Sequence, residues 1–209
     1  MKIIKPLVEL MTPIDTDGVM KRLELIGRVC YKSESRITDD SAANFIGGVI
    51  KRGHESIIEH VSLTFRIICD RGVSHEIVRH RLASYTQAST RYCNYASDKF
   101  GGELTFIKPY FWNRDEVLYT VWYEMMSAIE STYLRMVRQG AKPERARSIL
   151  PNSLATELIM TANLREWRHF LKLRTAKDAH PQMREVALMI QNILADKLPV
   201  IFGGNENVA

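Results

Sequence analysis

The chain has 209 residues, 45% hydrophobic and 25% charged, with 29 Lys+Arg against 24 Asp+Glu, a formal net charge of +5. A chain this long hides about 70% of its unfolded surface and needs neither disulfide nor metal to hold a core. No apolar run approaches ~18 residues, which speaks against a membrane span, and three cysteines (Cys30, Cys69, Cys93) give neither a disulfide framework nor a CxxC metal site.

Residues 1–13 carry Lys2 and Lys5 with only a short apolar stretch, unlike a signal peptide, so a cytoplasmic protein with free thiols is expected. Periodicity places a first helix at 15–31, with Val19, Leu23, Ile26 and Cys30 on one stripe. Thr38, Asp39 and Asp40 cap a second helix running to 52, which Gly53 ends. A turn at 56–60 leads into the alternating strand 61–67. Residues 72–84 read as helix, and 89–95 and 103–107 as short strands. The longest helix is 113–139, with Leu118, Val121, Trp122, Met125, Ile129 and Met136 inward. Its length, about 40 Å, suits packing against another subunit. A short helix 144–150 stops at Pro151, a strand covers 156–162, and helices follow at 164–174 and 181–197, the last entered through Pro181. The expected fold is α+β: one helix-rich domain over residues 1–209 with a mixed β-sheet.

The charge is uneven. Residues 66–91 hold five Arg, one Asp and one Glu, a net +3; residues 135–184 hold eight Arg, three Lys and four acids, a net +7. The remainder is therefore at −5. Basic blocks on an acidic background point to an anion site, and Arg offers a fork suited to phosphate and carboxylate.

The densest block is residues 79–92, with three Arg, one His, two Ser, two Thr, one Gln and two Tyr in fourteen residues. Either guanidinium forks and backbone donors converge there on a phosphate, or it is a solvated basic helix end. In 53–60, His54 and His60 flank Ser56 and two glutamates, but their spacing does not match the i, i+4 pair of a helical zinc site. The segment otherwise reads as a turn in which Ser56 and Glu59 cap the next element and His60 is half buried. In 164–174, Arg165, Arg168/His169 and Lys172 share one face; Trp167, Phe170, Leu171 and Arg174 share the other, where Arg174 is either functional or a snorkelling end residue. Each cysteine reads as a small buried hydrophobe, with Cys93 the one nucleophile candidate. Tyr85, Tyr92 and Tyr95 among the arginines also fit a single-strand nucleic-acid surface, against which the −5 elsewhere weighs.

Arg79-His80-Arg81, seven residues, then Ser89-Thr90-Arg91-Tyr92 resembles the signature of the flavin-dependent thymidylate synthases. Residues 53–60 are similar to that family's upstream segment. Arg147 to Pro151, Asn163-Leu164-Arg165 and Leu173-Arg174 are similar to its downstream segments, in the same order. The resemblance implies reductive methylation of dUMP to dTMP, with 5,10-methylenetetrahydrofolate as carbon donor, FAD as hydride carrier and NADPH as reductant. It also implies a homotetramer with sites shared between subunits, and no covalent protein nucleophile. Carried over, Glu76, Arg79, Gln87, Ser89, Thr90, Arg91, Arg147 and Arg174 would bind dUMP. Ser56, Arg79, His80, Arg81, Gln87, Asn163, Arg165 and His169 would hold FAD. His54 would lie on the folate side, and Arg174, at the uracil edge, would be the catalytic residue. Some members have Glu for Gln87, Gln for Glu76 and Asn for His169. No metal is expected.

Overall fold

The computed structural model describes residues 1–203. Its strands are β1 (Lys2–Ile4), β2 (Leu7–Leu10), β3 (Ser62–Asp70), β4 (Ala83–Gln87), β5 (Thr105–Ile107) and β6 (Ala155–Asn163). Its helices are α1 (Thr16–Val29), α2 (Ser41–Lys51), α3 (Arg71–Ile77), α4 (Val117–Arg138), α5 (Pro143–Ala146), α6 (Leu164–Arg174), α7 (Pro181–Lys197) and α8 (Pro199–Phe202). The class is α+β as expected, but the strands form two sheets: β1-β5, and a four-stranded sheet of order β2-β3-β6-β4. Among the described residues no helix is long and apolar enough to cross a membrane.

The residues gather into two compact units. The first comprises Met1–Leu7, Ile67–Arg79 and Tyr85–Ile159; the second comprises Val8–Arg66, His80–Ser84 and the chain from Met160 onward.

In the first unit β1 and β5 pair in parallel, Ile3 opposite Phe106. Leu104, Phe106, Trp122, Met126, Tyr133 and Leu154 form its core. Helix α4 buries Tyr119, Trp122, Met126 and Tyr133, not the stripe expected from sequence. Of that stripe Trp122 is buried and Ile129 and Met136 are partly buried, while Leu118, Val121 and Met125 are 56–58% exposed. The helix is apolar on two adjoining faces, and the aromatic one, with more area per side chain to hide, turns inward. Helix α4 starts at Val117 because residues 113–116 close a turn of their own, with the Glu116 N–H on the Asn113 carbonyl. Helix α3 stops at Ile77 instead of running to 84, and β4 takes residues 83–87, where β-forming Tyr85 and Thr86 lie. The strand expected at 89–95 is a turn: the N–H groups of Tyr92 and Cys93 both reach the Ser89 carbonyl.

In the second unit the Asp15 carboxylate accepts from the Gly18 N–H and caps α1. The buried stripe is Met20, Leu23, Glu24 and Gly27, one residue round from the predicted one, and Cys30 is exposed. Glu24 draws the stripe inward because it is fully paired: it accepts from Arg28 at 2.7 Å and from the Ser41 hydroxyl at 2.8 Å. Helix α2 ends at Lys51, two residues before Gly53, whose φ of +74° glycine adopts without strain. Helices α6 and α7 have the predicted bounds. Trp167, Phe170 and Leu171 are fully buried, and the Trp167 indole donates to the Leu63 carbonyl at 3.2 Å.

Candidate functional site

Helix α6 is set by its first residue. The Leu164 N–H bonds the Val61 carbonyl, and the Asn163 side chain accepts from the Glu166 N–H at 2.9 Å. With Trp167, Phe170 and Leu171 turned into the core, Glu166 is buried and Arg174 half-buried. His80 enters from the segment 80–84 and packs against Phe170 (ring centroids 4.8 Å) and His169 (5.7 Å). Its Nδ1 lies 3.1 Å from Glu166 Oε1, and its Nε2 lies 3.1 Å from Arg174 Nε. A guanidinium only donates, so Nε2 is bare and the ring proton sits on Nδ1, facing the carboxylate. Burial, with the Arg174 charge, holds the His80 pKa below its ordinary value against the opposing pull of Glu166. The imidazole is thus neutral, which suits its place beside a cation.

The helical turn Glu55–His60 docks on α6 through charge. Arg165 reaches Glu59 at 2.5 Å and Glu55 at 3.9 Å, and Arg168 reaches Glu55 at 3.1 Å. This corrects two expectations. Ser56 makes no cap bond and Glu59 pairs with Arg165 instead of capping; His60 is exposed, not half-buried. Ser56 and His54 are also exposed, and His54 Nδ1 lies 3.4 Å from the Tyr31 hydroxyl. His169 and Arg81 face outward.

In the first unit Asp70 caps α3 by accepting from the Val73 N–H at 2.7 Å. Gln87 at the end of β4 is fixed by Ser74 (2.9 Å) and Thr156 (3.2 Å). The turn after it holds Ser89, whose hydroxyl accepts from the Arg91 N–H, and buried Thr90, which accepts from Arg147 at 3.3 Å. Arg91 lies over the Tyr92 ring, 5.4 Å from its centre. Glu76 is half-buried and Arg79 exposed.

The predicted residues therefore fall into two sets. Glu76, Arg79, Gln87, Ser89, Thr90, Arg91 and Arg147 lie in the first unit; His54, Ser56, His80, Arg81, Asn163, Arg165, His169 and Arg174 lie in the second. Sequence reasoning missed Glu166, Ser74 and Thr156. The spacing Asn163-x-x-Glu166 is a capping signature that marks Glu166, but here the carboxylate goes to His80.

The donor set fits anionic ligands. Arg28, Arg66, Arg165 and Arg168 have carboxylate partners, whereas Arg79, Arg81 and Arg91 have none among the described residues. That leaves charge for phosphates, as dUMP and FAD would require. Ligand atoms of His80, Glu166 and His169 come within 4.8 Å of one another, but both His80 nitrogens are committed and a guanidinium beside them opposes a cation. The Ser89 hydroxyl accepts from a backbone N–H, and burial pushes the Cys69 thiol up.

Residues 14–200 match the family described as thymidylate synthase complementing protein. The flavin-dependent thymidylate synthase of Pyrococcus furiosus is 38% identical over 84% of this chain and 71% of its own length. That of Thermococcus kodakarensis is 42% identical over 73% and 62%, and that of Mycobacterium avium 31% identical over 92% and 82%.

Proposed function

We propose that this chain, which belongs to the thymidylate synthase complementing protein family, is itself a flavin-dependent thymidylate synthase. It methylates dUMP to dTMP with 5,10-methylenetetrahydrofolate as carbon donor and releases tetrahydrofolate. The observation that carries the reading is that Arg79, Arg81 and Arg91 are exposed and have no carboxylate partner among the described residues, within the span 14–200 that matches the family.

Arg91, Ser89, Thr90 and Arg147 hold the nucleotide phosphate and sugar, with Gln87, Glu76 and Arg79 completing that side. Ser56, Arg79, His80, Arg81, Gln87, Asn163, Arg165 and His169 hold FAD; Arg165 exchanges part of its pairing with Glu59 and Glu55 for the ligand. His54 lies on the folate side. Bound FAD, re-reduced by NADPH, supplies the hydride. Arg174 meets the uracil edge. It stays protonated and cannot act as a base, but it stabilises negative charge at ring nitrogen 3 and so pushes electron density to carbon 5. A preorganised donor at a developing anion is worth about 3 kcal/mol. No protein nucleophile takes part.

The active form is a homotetramer with shared sites. What supports assembly is the exposed apolar face of α4, Val117, Leu118, Val121 and Met125.

The test is turnover. Protein reconstituted with FAD is expected to absorb in the visible and to form dTMP from dUMP, methylenetetrahydrofolate and NADPH. Arg174→Ala is expected to keep its flavin and lose at least about a hundredfold in kcat. Protein that binds no FAD and forms no dTMP overturns the reading.

A further inference from the structure

We propose that Glu166 is a positioning residue that fixes Arg174 through the tautomer of His80. The inference rests on the role given above to Arg174.

Arg174 donates through Nε, so it can be held by His80 only while Nε2 carries no proton. Which nitrogen of a neutral imidazole carries the proton is set by the partner of the other nitrogen. That partner is Glu166, a carboxylate that only accepts, 3.1 Å from Nδ1. Glu166 therefore draws the proton to Nδ1 and leaves Nε2 as the acceptor that Arg174 needs. The other tautomer would set an N–H at Nε2 against the Arg174 N–H and a bare Nδ1 against the carboxylate, so both contacts would become repulsive.

The relay is rigidly mounted. Glu166 is buried, and its own N–H is tied to Asn163 in the first turn of α6. Arg174 ends the same helix, eight residues and about 12 Å further on. The His80 ring bridges the two, wedged against Phe170. With Nε held, the plane of the guanidinium fork is set before any ligand arrives, which is the preorganisation that electrostatic stabilisation needs.

Glu166→Gln keeps the size and burial but lets the side chain donate or accept, so it no longer selects a tautomer. In flavin-loaded protein this variant is expected to keep its melting temperature, flavin content and dUMP affinity within about twofold, while kcat falls at least about tenfold; a side chain that only orients an imidazole acts on this part of the rate. In the Arg174→Ala background the same change is expected to have no further effect, because residues acting as one unit are not additive. Nitrogen-15 spectra of labelled histidine, with His80 assigned from the signal lost in His80→Gln, are expected to show Nδ1–H alone in the parent and a mixture of tautomers in Glu166→Gln. Glu166→Asp, still acceptor-only, is expected to keep Nδ1–H and to recover part of the kcat. Parent-like kcat in Glu166→Gln, or an equal loss with and without Arg174, overturns the proposal. If Glu166→Gln does not fold, the parent spectrum decides, and an Nε2–H on His80 overturns it. Full turnover in Arg174→Ala overturns the role of Arg174 itself, whatever Glu166 does.

Discussion

Two buried ionisable side chains behave differently at the residue scale. His80 is kept neutral, its pKa lowered first by burial, with Arg174 and His169 acting in the same direction and Glu166 against them. Since the folded-state pKa lies below the unfolded value of about 6.5, the unfolded chain binds the extra proton first. The His80 contribution to stability is full above that value and is lost as pH falls towards the lowered pKa. The same protonation places an N–H on Nε2 and ejects Arg174. We expect kcat to show an acidic limb below about pH 6.5 that flattens in Arg174→Ala; an identical limb in both proteins excludes His80 as its source. Glu24 is fully buried but satisfied by Arg28 and Ser41. Removing one partner of a buried pair costs about 3–5 kcal/mol, so Glu24→Ala is expected to lower the urea midpoint sharply while the protein that remains folded keeps its flavin affinity. A change in unfolding free energy within about 0.5 kcal/mol, the size of an ordinary surface substitution, contradicts that account.

Elements were legible where one signal dominated. Helices α6 and α7 matched because a capping Asn163 and an N1 proline mark their starts and a single apolar face marks their lengths. Helix α3 was overrun because nothing in Val78 to Ser84 forbids helix; only the pairing that makes β4 stops it. Helix α4 has two apolar faces, and periodicity alone cannot choose between them. The outward face carries Val117, Leu118, Val121 and Met125, so a charge there tests assembly without disturbing the core. Val121→Glu is expected to leave the helical circular dichroism and melting cooperativity of the chain intact while light scattering reports a smaller assembly. An unchanged assembly would show that this face is not the contact.

At the scale of the whole molecule, positive charge is concentrated in two blocks of sequence. The residues at 66–91 and 135–184 carry all the excess positive charge, and they include every arginine named for a ligand. Attraction of this kind is screened over about 10 Å at 0.1 M salt, so the KM for dUMP is expected to rise severalfold between about 0.05 and 0.5 M salt with a smaller change in kcat; a salt-independent KM argues against phosphate capture by these arginines. A linear reading takes residues 79–92 as one block. Arg79 and His80 are adjacent in the chain yet belong to different compact units, a division that depends on long-range packing and leaves no local mark.

That division has a consequence for anyone who cuts or recombines the gene. The chain passes from one unit to the other after residues 7, 66, 79, 84 and 159, so neither unit is encoded by a contiguous stretch. A single crossover with a relative anywhere between codons 8 and 159 draws at least one unit from both parents. Chimaeras of this protein will therefore inherit mismatched cores more readily than new specificities, and exchange of one ligand set as a block requires several junctions at once.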